Sequence, residues 1–171
     1  MVCHTSIGCV VLMITLNESE LVLDDIDWLL ANRDKFVING TFRSLIWEQR
    51  LSHMIGARYV DQYGYDAMHD LLNRTEIKTT FSWHIPNQTI AFEGLKSKKG
   101  KCDHFLFYSD ILKQAALIKH DDLFHPGVLY EYPSGALAFR VKVKQLTNNV
   151  FKKSPAMAAR ELWLDNLVPI V

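Results

Sequence analysis

At 171 residues the chain is long enough to bury one ordinary core without disulfide or metal staples. Hydrophobic residues at 49% and charged residues at 22% make a globular composition and exclude a long disordered chain. A formal net charge of zero argues against a general nucleic-acid coating protein, which needs many Lys and Arg contacts, and confines any grip on phosphates to a local cleft.

The longest apolar stretch, Ile7 to Leu16, is broken by Gly8 and Thr15 and is too short to span a bilayer. It has no basic residue before it and no small-residue cleavage site after it, so it reads poorly as a signal peptide. A second Met at Met13 lets Met1 to Leu12 read as an upstream extension, and residues 1–16 read as peripheral to a single domain covering 1–171. Cys3, Cys9 and Cys102 show no paired spacing, which points to a reducing cytoplasm rather than a disulfide framework. Cys3 with His4, and Cys102 with His104, lack the companion pair a structural zinc site needs.

From Asn17 the pattern is helical, with Leu21, Ile26, Leu29 and Leu30 on one face. Asn39-Gly40 breaks the chain, and Thr41 opens a second helix in which Phe42, Leu45, Ile46, Met54 and Ile55 recur; Gly56 stops it. Tyr59 to Ala67 reads as one strand leading through a turn near Leu72-Asn73 to a return strand, Thr75 to Thr80. Thr89 to Phe92 is a further candidate strand. After a basic loop, His104 to Tyr108 reads as a buried strand, while Ala115 to Ile118 is an apolar run of ambiguous type. Pro133-Ser134-Gly135 marks a turn before a strand at Ala136 to Val143, and a last helix runs from about Ser154, with Pro155 at its first position, to Leu167. Helices, a strand cluster and a closing helix predict an α/β fold with a mixed central β-sheet flanked by helices, Glu76 lying on a central strand.

The chemistry concentrates on Asp66 and Glu76-Ile77-Lys78. Side chains alternate along a strand, so Glu76 and Lys78 share one face while Ile77 points into the core. A hairpin can bring Asp66 beside them. Two carboxylates and an amine would then converge, which suits Mg²⁺-assisted phosphodiester hydrolysis: hard oxygen ligands for the ion, and a lysine to orient or help deprotonate the attacking water. Glu48 adds a third acid from the second helix, close to its apolar stripe, where a carboxylate is costly unless paired or liganded. Asp61 and Asp70 are the fallback ligands for a shifted hairpin register.

The run from Glu48 through Tyr65-Asp66 to Thr75-Glu76-Ile77-Lys78-Thr79-Thr80 resembles the PD-(D/E)XK, or restriction-endonuclease-like, nuclease superfamily. The similarity extends more weakly to Lys101-Cys102-Asp103-His104-Phe105-Leu106-Phe107-Tyr108, which is similar to the hydrophobic strand that follows the ExK strand. Tyr65 stands where the motif has Pro. The resemblance implies a restriction-endonuclease-like core, Asp66, Glu76 and Glu48 as ligands of Mg²⁺ (with Mn²⁺ as a substitute), and Lys78 as the catalytic lysine. It also implies an endonuclease on double-stranded DNA, with a type II restriction enzyme as the leading reading and homing, repair or junction-resolving nucleases as alternatives. Cutting both strands of a palindrome asks for two sites, hence a homodimer.

Other cations have two readings each. Lys96, Lys98, Lys99 and Lys101 form a basic loop around Gly100 that either clamps DNA or is simply solvated. Arg140, Lys142 and Lys144 alternate with Val141 and Val143, so they line one strand face that either tracks phosphates or meets water. His84 could reach the cleft but reads better as structural, and Trp28, Trp47 and Trp163 read as core or interface residues. A rival from another class is a non-catalytic DNA-binding or assembly module, in which Lys78 pairs with Glu76 and Arg74 with Asp66 or Asp70.

Overall fold

The computed structural model describes residue 31 and residues 42–80, 89–142 and 155–169. The predicted helix from Asn17, together with Trp28, His84 and Lys144, lies outside the described residues. Helix α1, Phe42–Met54, ends as its glycine demands. Gly56 adopts φ +71°, its N–H donates to the His53 carbonyl at 2.9 Å, and the Ala57 N–H donates to the Ser52 carbonyl at 2.8 Å. This paired closure satisfies two carbonyls that the last turn leaves unbonded.

The stretch from Tyr59 to Ala67 is two strands, not one. β1, Arg58–Gln62, turns at Tyr63-Gly64 into β2, Tyr65–His69. Gly64 takes φ +111°, a conformation closed to side chains, and an added Cβ there would lie 2.7 Å from Lys101 Cβ. β2 then pairs antiparallel with β3, Asn73–Thr80, through a turn in which His69 Nδ1 accepts the Leu71 and Leu72 N–H groups and Asn73 adopts φ 56°.

From β3 the chain crosses over. It passes through β4, Thr89–Phe92, and a 3-10 turn at Lys96–Lys98, then returns as β5, His104–Ser109, parallel to β3. β6, Gln114–Lys119, pairs antiparallel with β5, which settles the ambiguous apolar run as a strand. A one-turn helix α2, His120–Leu123, follows. β7, Tyr130–Glu131, and β8, Leu137–Lys142, join β4 in a separate three-stranded sheet ordered β4-β8-β7. Helix α3, Pro155–Asp165, leads to β9, Leu167–Val168, on the far edge of the main sheet. That six-stranded sheet is ordered β1-β2-β3-β5-β6-β9, mixed because β3 and β5 alone run parallel, and Glu76 lies on an inner strand.

Alternation along β5 divides the core. Leu106 and Tyr108 join Ile77 and Ala115 in packing against Leu51 and Met54 of α1, where Trp47 stacks on Tyr108 with ring centroids 4.4 Å apart. Phe105 and Phe107 face the other way, onto Ile90, Phe92, Phe139 and Val141 of the small sheet and Trp163 of α3. The main sheet is therefore covered by α1 on one face and by the small sheet with α3 on the other. The second sheet was not foreseen from the sequence. Its strands were expected, but their grouping depends on which partners their edges meet.

Gly64→Ala is expected to cost about 1–3 kcal/mol, because it combines a disallowed φ with a clash against the first carbons of the Lys101 side chain. Urea unfolding should show a lower midpoint at unchanged slope; an unchanged midpoint would mean that the hairpin relaxes freely.

Candidate active site

The pairing of β2 with β3 sets Ala67 opposite Thr75, and one step further in that register Asp66 comes opposite Glu76. Directly opposed residues have Cβ atoms about 4.5–5.5 Å apart. Ile77 is buried in the α1-side core, so alternation sends Glu76 and Lys78 to the opposite face, over Phe105 and Phe107 of the parallel neighbour. Asp66 is further fixed by its Oδ2, which accepts the Ile77 N–H at 2.8 Å. Thus a single hairpin brings together the three residues expected from the sequence.

Glu76 is fully buried. A buried carboxylate needs a counter-charge, and here it has two. The Lys78 and Lys98 ammonium nitrogens each lie 2.7 Å from Oε1, and Lys98 Nζ also donates to Oε2 at 2.8 Å. At Oε1 the contacts are close charge pairing; the well-directed hydrogen bond is the one Lys98 gives to Oε2. Lys78 is 24% exposed and Lys98 17%, against 0% for Glu76, so both lysines keep part of their side chains at the surface while the acid they pair with does not.

Lys98, expected only as a weak DNA contact in a solvated loop, is thus part of the site. Buried Leu95 anchors the 3-10 turn, the Lys98 N–H donates to the Leu95 carbonyl at 3.0 Å, and the crossover from β3 to β5 carries the turn over Glu76. The sequence signal available was an apolar Leu95 just ahead of the basic run. It marks an inward anchor, but not which lysine turns inward.

Glu48 reaches the cluster from α1. Its carboxyl is pushed up to about 8, first by burial and then by the negative charges of Asp66 and Glu76, with Lys78 and Lys98 opposing. The Asp66 carboxyl is pushed up to about 7, again first by burial and then by Glu76, while the Ile77 N–H and both lysines pull it down. Burial pulls the Lys78 ammonium down, but Glu76, Asp66 and Glu48 outweigh it and leave it above its ordinary value. Three acids and two lysines therefore lie within electrostatic reach of one another.

The donor set is all carboxylate oxygen, which fits Mg²⁺ or Mn²⁺ better than a softer ion. Among the described residues, however, no three His, Cys, Asp or Glu side chains are placed so as to hold an ion as they stand. Both Glu76 oxygens already face ammonium groups. Of the fallback ligands, Asp70 is exposed in the turn, and the side chain of Asp61 lies outside the described residues.

The remaining candidates lie apart from the acids. Lys101 sits over the Tyr63 ring at 3.7 Å, Lys99 over Phe124 at 5.7 Å, and Arg140 over Tyr130 at 4.5 Å. Lys96 is exposed beside Gly135. Phe139 and Val141 of β8 belong to the core, so Arg140 and Lys142 occupy the other face of that strand. Arg74 pairs with Asp103, not with Asp66 or Asp70: its Nε and Nη2 donate to the two carboxylate oxygens at 2.9 and 3.0 Å. Cys102, whose thiol burial pushes up to about 12, lines a cleft of about 290 Å³ together with Arg74, Asp103, His104, Lys119 and His120. Trp163 is a core residue.

In the metal-free protein the raised carboxyls make stability fall as pH rises. Unfolded carboxyls titrate near about 4, whereas Asp66 and Glu48 in the fold titrate at about 7 and about 8. Below the unfolded values both states hold the protons and the contribution to stability is intact. Between the two ranges the unfolded chain has released protons that the fold retains, so stability is lost through that window. Asp66→Asn should flatten the decline seen by urea unfolding between mildly acidic and mildly alkaline buffer; an unchanged slope would contradict the assignment.

Compared with known proteins, the chain matches no family model and no curated sequence.

Proposed function

We propose that this chain is a divalent-metal-dependent DNA endonuclease of the PD-(D/E)XK type, built on a restriction-endonuclease-like version of its α/β core. The observation that carries the reading is the opposition of Asp66 and Glu76 across the β2–β3 hairpin, with Lys78 on the face of Glu76. Glu48 approaching from the preceding helix supports it, as the same motif order implies.

In this reading Asp66, Glu76 and Glu48 would hold Mg²⁺, or Mn²⁺ in its place. The ion supplies charge neutralisation at the phosphate and a water of lowered pKa. The chain's own residues do the rest. Lys78, held as an ammonium by its acidic neighbours, orients the attacking water through an N–H of Nζ and offsets the negative charge that develops there. The backbone N–H of Ile77 fixes Asp66 so that the carboxylate does not have to be ordered at the moment of reaction. Burial of Glu76 excludes bulk water from the acid side, while the two ammonium groups meet the phosphate first.

The substrate in this proposal is double-stranded DNA, cut by a homodimer of restriction type. Homing, repair and junction-resolving nucleases are variants of the same chemistry. Residues flanking the cluster, Lys99, Lys101 and the exposed Lys96, are the nearest in sequence that could meet the backbone. No helix among the described residues is long and apolar enough to cross a membrane.

A second reading is favoured by one specific observation. Lys78 and Lys98 already neutralise Glu76, which is the arrangement a non-catalytic DNA-binding or assembly module would keep. Cleavage separates the two. With Mg²⁺ or Mn²⁺, the protein should cut plasmid DNA, and EDTA should stop it. Asp66→Ala, Glu76→Ala and Lys78→Ala should each lower the rate by about 10²-fold or more, with a smaller loss for Glu48→Ala. Full activity in EDTA or in Glu76→Ala would refute the mechanism, and DNA binding without cleavage under any divalent ion would favour the module. Discrete bands would indicate sequence specificity, and branch-selective cuts a resolving enzyme.

A further inference from the structure

Lys98 is a member of the cluster that neither the hairpin, the ExK spacing nor the helix acid Glu48 accounts for. It comes from the crossover between the parallel strands, it is largely buried, and it contacts both oxygens of Glu76. Lys78 is also paired to Glu76, at Oε1. A divalent ion held by Glu76 would need at least one of those oxygens, and it would bring two positive charges to the place where an ammonium group now sits.

We propose that Lys98 is an internal counter-ion that holds Glu76 when no divalent ion is present, and that the ion must displace it in order to bind. The proposal rests on the metal-site reading of the previous subsection. A divalent ion on a Glu76 oxygen would add two positive charges beside the two ammonium groups already 2.7 Å from Oε1, and like charges a few ångströms apart in a partly desolvated volume repel far more strongly than in water. Binding therefore draws on the fraction of molecules in which Lys98 has swung away, and the apparent affinity falls by that fraction. Lys98 lies on a 3-10 turn outside the paired strands, closed by its own N–H to the Leu95 carbonyl and by the Lys101 N–H to its carbonyl, so the backbone around it can shift without unpairing a strand. The arrangement makes the buried acid tolerable in the metal-free protein at the expense of metal affinity.

The test is calorimetric titration of the full chain with Mn²⁺, using the native protein, Lys98→Met, Lys98→Gln and Glu76→Gln. Lys98→Met should bind Mn²⁺ about tenfold more tightly or better, since a like charge is removed. Lys98→Gln, which keeps a hydrogen-bond donor for Glu76 and so protects the fold, should also tighten binding. A lysine with a merely structural role would not raise affinity when removed. Glu76→Gln should lose binding. If the native protein binds and Glu76→Gln does not, but both Lys98 variants bind equally or more weakly than native, the counter-ion role is overturned while the metal site stands. If neither the native protein nor either Lys98 variant binds at millimolar Mn²⁺, the metal site fails and the counter-ion role falls with it.

Discussion

A carboxylate with no exposed surface, on an inner strand of the main sheet, is the constraint around which this fold is arranged. Glu76 cannot remain charged there without compensation, because the desolvation of one ion costs several kcal/mol even after relaxation. The chain compensates twice: from two residues along the same strand with Lys78, and from the crossover loop with Lys98. Asp66 and Glu48, brought close by the hairpin and by α1, relieve the remaining repulsion by holding their protons toward and beyond neutral pH. A cluster so charged would be poor engineering for stability alone. Breaking a pair of this kind is costly, yet an apolar substitute is often as stable. The arrangement makes better sense as a place for a cation that arrives from outside.

The scaffold explains why the cluster can exist at all. β3 and β5 are the single parallel pair in the main sheet, and a parallel pair requires a crossover. Here that crossover includes a strand of the small sheet and the turn that carries Lys98. The same parallel register places Phe105 and Phe107 beside Glu76 and Lys78, so the charged face of β3 borders an aromatic core made with Phe92, Phe139 and Trp163. Rings also fix the outer cations. Lys101 on Tyr63, Lys99 on Phe124 and Arg140 on Tyr130 form cation–π contacts that bias a side chain without burying its charge. With a net charge of zero, the protein offers local features of this kind rather than a general positive field.

Much of this was legible in the residues, and the exceptions have physical reasons. Glu76, Ile77 and Lys78 follow strict alternation, and a short-range rule of that sort survives folding unchanged. Gly56 ended α1 as expected, because a left-handed cap is a local demand. Tyr59 to Ala67 misled because its three tyrosines and Val60 are strand-like while the lone Gly64 between them fits a bulge as well as a turn; its φ of +111° makes it a turn. The small sheet and the inward turn of Lys98 were hidden because both depend on partners far along the chain. Arg74 had several acids in reach by sequence, and selected Asp103, which stands at the entry to β5 beside it.

The reading of the cluster as a metal site is tested most directly by a crystal soaked in Mn²⁺ and measured for anomalous scattering. The account predicts one peak within about 2.0–2.6 Å of a carboxylate oxygen of both Asp66 and Glu76, with the Lys98 ammonium moved off Glu76. A crystal with Mn²⁺ elsewhere, or none, and Lys98 still bonded to both Glu76 oxygens would contradict it.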